Sequence, residues 1–356
     1  MATIDIEPKS RKPRTGTRGP TVADVARLAG VSPMTVSRVI NAEPNVLPTT
    51  RAKVRAAIAA LRYVPNPAAR SLAGGQQCRI ALLHANPSAA YLSEFLMGSL
   101  AQASVIDAQL VVEHYDPTDD AEALVHRLAG HRVDAVLLPP PLCDDDALLA
   151  ALDAAGLPMA QIATGRPVAF AHAVTIDDEA AAHAMTTHLI GLGHRRIGFI
   201  AGAADQTASA ARRAGYERAL MGAGLVAEPG LVAQGDFTYR SGLAAAEALL
   251  ALASRPTAIF ASNDDMAAAA VAIAHRHHLD VPGDLSVCGF DDTAMSRSVW
   301  PEITTIHQPV AEMARRATAL LTETVRGRTA SRDTPIHVQL DFELLSRASD
   351  ASPITS

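Results

Sequence analysis

Short β-rich runs alternate with helical stretches along most of the chain, and this alternation limits the fold more than any other feature. The first part of the series carries the runs RIALLHA, AQLVVEHY, VDAVLLPP and LPMAQIA, and the second part carries HAVTID, RRIGFIAG, LVAQGDF, TAIFASN and LSVCGFDD. Such a pattern is typical of parallel sheets flanked by helices. Because it occurs twice, we predict an α/β core of two lobes. Ligands of such sheets bind beyond the carboxyl ends of the strands, so we expect a binding cleft between the lobes.

The distribution of charge separates the front of the chain from its body. Residues 1–75 contain twelve Lys and Arg against four Asp and Glu, whereas the whole chain of 356 residues has a net charge of −6. All three lysines, Lys9, Lys12 and Lys53, lie in that front part. A basic front on an acidic body indicates a nucleic-acid partner for the front alone. The length predicts two or three domains.

Several classes of function are disfavoured by what the sequence contains. No apolar run is long enough to span a membrane, the N-terminus lacks the apolar core of a secretory signal, and three distant cysteines do not suggest a disulfide framework; we therefore expect a cytoplasmic protein with no membrane partner. His275 and His278 lack a carboxylate or Cys partner at ligand spacing, so no metal is expected. Carboxylate pairs occur without a GxSxG, HExxH or P-loop motif, so we predict neither an enzyme nor a cofactor.

The front of the chain predicts a helix-turn-helix. A Pro/Gly/Arg-rich arm, residues 1–20, is expected to be disordered. Thr21 and Asp24 then form an N-cap pair for the helix VADVARLA, which Gly30 ends, and Ser32 caps a second helix. A third helix, from about Thr49 to Leu61, carries apolar residues at helical spacing and closes a three-helix core.

The second helix turns its polar side chains outward, while Val36 and Val39 face the core. The outer positions are Pro33, Met34, Thr35, Ser37, Arg38 and Asn41. Arg38 is the candidate for a bidentate contact to guanine, and the hydroxyl and amide side chains are candidates for phosphate contacts. Pro33 and Met34 offer only shape and apolar contact.

The segments TVADVARLAGVSPMTVSRVIN and TTRAKVRAAIAALRYVPNPAARSLAGG closely resemble the DNA-binding headpiece and hinge of the lactose-repressor (LacI/GalR) family. The resemblance implies a DNA-binding domain over 21–64, a hinge over 65–76 that folds into a helix in the minor groove, and an effector-binding, dimerising core over 77–356. It also implies DNA contacts for Thr21, Ser32, Tyr63, Asn66 and Leu72. Leu72 and its dimer mate would wedge into a central base step. The sequence departs from the family at Leu47-Pro48, where a Ser cap is usual.

The resemblance extends to a periplasmic-binding-protein-like core whose chain crosses between the lobes three times. It implies an N-lobe of about 77–161 and 308–338 and a C-lobe of about 162–307 and 339–356. Polar residues gather where strands end, and the family implies that some of them hold sugar hydroxyls while an aromatic ring stacks on the sugar. The candidate effector residues are Tyr91, Asp177, Arg212, Phe237, Asn263, Asp291 and Gln308. For Asp264, Asp265 and Asp292 we predict support of this site or helix capping.

These features together predict a dimeric repressor of carbohydrate-utilisation genes. Two headpieces would bind a pseudo-palindromic operator in double-stranded DNA, and a mono- or disaccharide between the lobes would release it. One alternative is a corepressor-dependent regulator that responds to a non-sugar metabolite such as a purine. Another is a catalytic sugar-processing protein with an accessory DNA domain. The chain ends without apolar heptads, so a tetramerising coiled coil is not expected.

Overall fold

The computed structural model describes residues 20–40, 46–63, 77–327 and 334–354. The chain divides into two compact units, Met1–Gln76 and Gln77–Ser356. Residues 1–19 of the predicted basic arm, the predicted hinge over 65–76 and the candidate DNA contacts Asn41, Asn66 and Leu72 lie outside the described residues, whereas the last arm residue, Pro20, is described.

The described part of the first unit contains three helices, α1 (Val22–Ala29), α2 (Pro33–Ile40) and α3 (Pro48–Leu61). The predicted capping of α1 is confirmed, since Thr21 accepts from the Asp24 N–H and the Asp24 carboxylate accepts from the Thr21 N–H. Gly30 ends α1 at φ 65°, a left-handed conformation that glycine adopts without steric cost. The helix α3 begins one residue before the predicted start, and Leu47 makes no side-chain cap.

The core of this headpiece is small and apolar. The prediction that Val36 and Val39 face inward is confirmed, and both pack with residues of α1 and α3. Tyr63 is buried in the same cluster, with 7% of its surface exposed. Its packing in the core accounts for its position.

The second unit contains two six-stranded sheets. The N-lobe sheet has the strand order β11-β5-β4-β3-β1-β2, and the C-lobe sheet has the order β12-β10-β9-β8-β6-β7. All neighbouring strands run parallel except β10 and β12, which are antiparallel. The N-lobe strands are β1 (Cys78–His84), β2 (Ala108–His114), β3 (Ala135–Leu138), β4 (Met159–Ile162), β5 (His172–Thr175) and β11 (His337–Gln339). The C-lobe strands are β6 (Ile197–Ala201), β7 (Val232–Gln234), β8 (Ala258–Ala261), β9 (Ser286–Asp291), β10 (Thr304–His307) and β12 (Glu343–Leu345).

Helices lie between the strands, as the alternating pattern predicts. They are α4 (Ala89–Ile106), α5 (Ala121–Gly130), α6 (Asp146–Ala154), α7 (Asp178–Gly191), α8 (Thr207–Gly222), α9 (Tyr239–Leu250), α10 (Asp264–Arg276), α11 (Ala294–Ser298) and α12 (Val310–Val325). The fully buried strands β3, β4, β6, β8 and β9 form the centres of the two sheets.

The first predicted lobe boundary is wrong. The sequence predicts a crossover near residue 161, but β5 pairs in parallel with β4 and so belongs to the N-lobe sheet. The chain therefore leaves the N-lobe after Thr175. No helix separates β4 from β5, and alternation of strands and helices alone cannot show which sheet such a strand joins. The later crossovers follow β10 and β11, close to the predicted residues 307 and 338.

Candidate functional site

The carboxyl ends of both parallel sheets face a cavity of about 360 Å³, a volume that includes its open mouth. The N-lobe contributes Asn86, Ser88, Tyr91, Pro140 and Ala163, and the C-lobe contributes Gln206, Ala208, Arg212, Phe237, Asn263 and Asp291. Five of the seven predicted effector residues, Tyr91, Arg212, Phe237, Asn263 and Asp291, thus line one cavity.

Arg212 lies at the centre of the C-lobe wall and is 4% exposed. Its Nε donates to Asp178 Oδ1 at 2.7 Å and its Nη1 donates to the Ser262 carbonyl at 2.5 Å. Its Nη2 lies 3.4 Å from Gln308 Oε1, so the predicted residue Gln308 meets the site through Arg212. The guanidinium carbon also lies 3.6 Å from the centre of the Phe290 ring. Arg212 is therefore fixed before any ligand arrives.

Asp291 presents a carboxylate oxygen that no described donor satisfies. Its Oδ1 is buried and 3.7 Å from Arg212 Nη1, which is too far for a hydrogen bond. Burial raises the pKa of Asp291 well above its ordinary value, although the nearby Arg212 charge lowers it. A buried acceptor without a donor is costly unless a ligand supplies one.

Asp177 does not reach the cavity. It is exposed and caps α7, accepting from the Ala180 N–H at 2.8 Å. The next residue, Asp178, is buried and holds Arg212 instead. Two adjacent carboxylates at a helix start point in different directions, and the sequence offers no signal that separates them.

Phe237 and Asn263 support each other. The Asn263 amide nitrogen donates to the Phe237 carbonyl at 2.9 Å, and its oxygen caps α10 by accepting from the Met266 N–H. Phe237 has φ 68°, and a Cβ on Gly202 would lie 2.1 Å from the Phe237 ring. The ring is therefore held against the cavity by a close approach that only glycine permits.

Tyr91 is buried at the N-lobe wall, and its hydroxyl has no hydrogen-bond partner among the described residues. Beside it, Ser88 Oγ donates to Asp265 Oδ2 of the C-lobe at 2.5 Å. This contact joins the lobes on one side of the cavity. Residue-type reasoning did not predict Ser88, because a helix-capping serine gives no sign of a partner 177 residues away.

A second contact joins the lobes at Asp144. Its Oδ2 accepts from the Thr207 N–H at 2.9 Å and from the Thr207 hydroxyl at 2.8 Å, while its Oδ1 accepts from the Thr164 hydroxyl. Asp144 lies in the N-lobe and Thr207 begins α8, the helix that carries Arg212. Asp144 and Thr207 lie 63 residues apart, and no local sequence signal predicts their contact.

Two other carboxylates that follow C-lobe strands, Asp264 and Asp292, form hydrogen bonds within the C-lobe. Asp264 accepts from Thr293 and Thr305, and burial raises its pKa to about 7 despite those hydrogen bonds. Asp292 accepts from Arg347, Arg297 and His307.

In the headpiece, Ser32 Oγ accepts from the Thr35 N–H at 3.1 Å and so caps α2. The exposed side chains at this end of the helix are Ser32, Pro33, Met34 and Arg38, whereas Thr35 and Ser37 are half-buried. Met34 is 65% exposed and so presents an apolar group at this end of the helix. This face presents arginine, hydroxyl and apolar groups, the kinds of side chain that contact base edges and phosphates in DNA-binding proteins.

Within the described ranges, no helix is long and apolar enough to cross a membrane. The same part of the chain contains no group of three or more His, Cys, Asp and Glu side chains arranged to hold a metal ion.

Two relatives are similar in sequence to this chain over almost its whole length. It is 37% identical over 341 residues to the HTH-type transcriptional regulator CelR of Thermobifida fusca, covering 93% of this chain and 98% of the relative. It is 34% identical over 334 residues to the HTH-type transcriptional repressor PurR of Pectobacterium carotovorum, covering 93% and 97%. These relatives are regulators of transcription and not enzymes.

Solved structures are also similar to the chain over almost its whole length. A complex of the transcriptional regulator CelR with cellobiose has a TM-score of 0.71 and 36% identity, covering 93% of this chain and 99% of that one. A Lac repressor dimer bound to operator and the anti-inducer ONPF has a TM-score of 0.72 and 28% identity, covering 94% and 100%. Residues 21–66 match the model of bacterial regulatory proteins of the lacI family, and residues 186–349 match a periplasmic binding protein-like domain. The chain therefore belongs to the lacI family of DNA-binding transcriptional regulators.

Proposed function

We propose that this protein is a homodimeric repressor of carbohydrate-utilisation genes, released from a pseudo-palindromic operator when a mono- or disaccharide binds between its lobes. The observation that carries the sugar assignment is the cavity wall formed by Asp291 and Phe237. A buried carboxylate oxygen without a donor suits a hydroxyl, and an aromatic face suits the C–H surface of a sugar ring. The CelR complex with cellobiose supports the same chemistry.

The operator is released because the ligand binds one relative position of the two lobes more tightly than another. The cavity is built from both lobes, and two hydrogen-bonded contacts, Ser88–Asp265 and Asp144–Thr207, join the lobes beside it. A ligand that prefers one relative position of the lobes shifts the population towards that position. Operator affinity falls when the preferred position does not suit DNA binding.

The DNA half of the proposal is tested at Arg38. We expect Arg38→Ala to abolish specific gel retardation of a duplex selected from random DNA by the wild-type protein, because a bidentate contact to guanine contributes about 1–3 kcal/mol of discrimination. Thermal shifts by sugars should not change. Arg213→Ala is the matched control, since it removes an exposed arginine of the second unit, which forms an ion pair with Glu217. Retained specific retardation by Arg38→Ala would refute the assignment.

The effector half is tested by thermal shift with a panel of neutral mono- and disaccharides that includes cellobiose, since a ligand of the folded state raises Tm by mass action. We expect Arg212→Ala and Asp291→Ala to lose the shift and the operator release. Full response in both variants would show that the effector binds elsewhere.

A second candidate is a corepressor-dependent regulator that responds to a non-sugar metabolite such as a purine. The identity to the repressor PurR supports it. The two candidates differ in the sign of one measurement: an inducing sugar weakens operator binding, whereas a corepressor tightens it.

A further inference from the structure

We propose that Asp178 sets the charge class of the effector: by engaging Arg212 it leaves a cavity that accepts an uncharged, hydroxyl-bearing ligand and excludes phosphorylated or carboxylated ones. This inference rests on the proposed function of the cavity. It concerns a residue that lies behind the cavity wall and acts through Arg212.

The one arginine in the wall has few donors left for an anion. All three guanidinium nitrogens of Arg212 already have an acceptor, supplied by Asp178, Ser262 and Gln308. Sites that bind phosphate or carboxylate ordinarily present a guanidinium fork whose N–H groups are available. Here three of the five N–H donors of Arg212 are already used by acceptors of the protein.

Among the described residues that line the cavity, Arg212 is the only one with a basic side chain. Every lysine of the chain lies within residues 1–53. Carboxylates outnumber it, because Asp178 and Asp291 lie beside the guanidinium and Asp265 lies at the Ser88 contact. An entering anion would lie close to the acceptor oxygens of these side chains in a poorly solvated space, an arrangement that suppresses wrong partners.

The helix N-termini around the cavity are also occupied. Such termini are ordinary sites for anions because their N–H groups are unpaired. Here the start of α8 is capped by Asp144, the start of α10 by Asn263 and the start of α4 by Ser88. Two of these three caps are neutral side chains and one is itself a carboxylate.

What remains open to a ligand are groups suited to hydroxyls. Asp291 Oδ1 is a buried acceptor with no donor, and the Tyr91 hydroxyl has no partner among the described residues. A polyhydroxylated, uncharged molecule can donate to the first and exchange a hydrogen bond with the second.

The decisive variant is Asp178→Asn, which keeps the shape and removes the charge beside Arg212. Asp177→Asn is the matched control, because Asp177 is the adjacent, exposed carboxylate of the same helix start. Each full-length protein is titrated with glucose, cellobiose, glucose 6-phosphate and inorganic phosphate, by calorimetry and thermal shift.

In the wild type we expect glucose 6-phosphate to bind about a hundredfold more weakly than glucose, and phosphate to cause no shift. In Asp178→Asn the discrimination against glucose 6-phosphate should narrow at least about tenfold, and phosphate should raise Tm. Asp177→Asn should behave as the wild type. Circular dichroism checks that each variant is folded. Asp291→Asn removes the other carboxylate beside Arg212, so phosphate should also raise the Tm of this variant.

The outcomes separate this inference from the proposed function. If phosphate shifts the wild type as strongly as Asp178→Asn, or shifts neither Asp178→Asn nor Asp291→Asn, the inference is wrong, while neutral sugars that bind the wild type still uphold the effector cavity. If no neutral sugar binds but phosphate shifts only the variants, the charge inference stands and the sugar assignment fails.

Discussion

Two adjacent aspartates at the end of β9 show how far a residue's surroundings outweigh its type. Asp291 and Asp292 both have positive φ, 102° and 57°. Burial raises the pKa of Asp291 more than Arg212 lowers it. Burial also acts on Asp292, but hydrogen bonds and charge from Arg347, with Arg297 and His307, bring its pKa below the ordinary value. Asp291 keeps a buried oxygen without a hydrogen-bond partner among the described residues, whereas Asp292 is held by Arg347, Arg297 and His307.

The two residues should therefore affect stability with opposite dependence on pH. A carboxyl whose folded pKa is raised destabilises the protein as pH rises above the unfolded value near 3.8. Asp291→Asn should thus gain stability relative to the wild type as pH increases from 5 to 8.

A carboxyl with a lowered pKa stabilises the protein above pH 3.8 and loses that contribution in acid. Asp292→Asn should be less stable at pH 7, and its deficit should shrink as pH falls.

Urea unfolding from about pH 2 to pH 8 measures both differences, because the contribution of Asp292 changes only below the unfolded pKa near 3.8. Each variant serves as the other's control because the chemical change is the same. If the two variants showed the same pH dependence, the contrast drawn between their surroundings would be wrong.

At the scale of elements, the N-terminus of helix α8 is capped by a residue of the opposite lobe. Its N-cap residue, Gln206, makes no side-chain cap, and the N–H of Thr207 is satisfied by Asp144 of the N-lobe. Since α8 also carries Arg212, the helix that bears this cavity residue is joined to the other lobe at its N-terminus.

We expect Asp144→Ala to lower the free energy of unfolding by about 1 kcal/mol, the usual effect of removing an N-cap. Asp146→Ala is the control, because Asp146 is 75% exposed and pairs only with the exposed Arg166. Its effect should stay within about 0.5 kcal/mol. Urea denaturation at pH 7 measures both, and equal losses would show that the contact between the lobes adds nothing.

At the scale of the whole molecule, charge is divided between the two units. Residues 1–75 have a net charge of +8, although the chain as a whole is at −6. The DNA affinity of a basic unit should depend on salt concentration, because binding releases counterions from DNA. The affinity of a cavity for a neutral ligand should not depend on salt in this way.

Operator affinity should therefore fall about a thousandfold or more between 50 and 200 mM salt, as for proteins that contact many phosphates. Binding of a neutral sugar should change little over the same range. Fluorescence anisotropy with labelled operator and calorimetry with the sugar measure the two. A flat dependence of operator affinity on salt would contradict binding through the basic front.

Local sequence signals predicted the elements well. The capping pair Thr21 and Asp24, the stop at Gly30 and the inward positions Val36 and Val39 all depend on neighbours within one or two turns, and the structure has them as predicted. The alternation of strands and helices likewise predicted two parallel sheets. The rule that ligands bind at strand carboxyl ends brought five predicted residues to one cavity.

The sequence by itself determined the family of the protein, the helices of its headpiece, its two-lobed core and the edge of the sheets where the cavity lies, because these follow from short-range periodicity, capping and recognisable motifs. Only the tertiary structure decided that β5 belongs to the N-lobe, that Asp178 rather than Asp177 holds Arg212, and that Asp144 caps a helix of the other lobe. Each of these depends on groups far apart in the chain. Their meeting is set by how the sheets pair and the lobes face each other, and no local pattern carries that information.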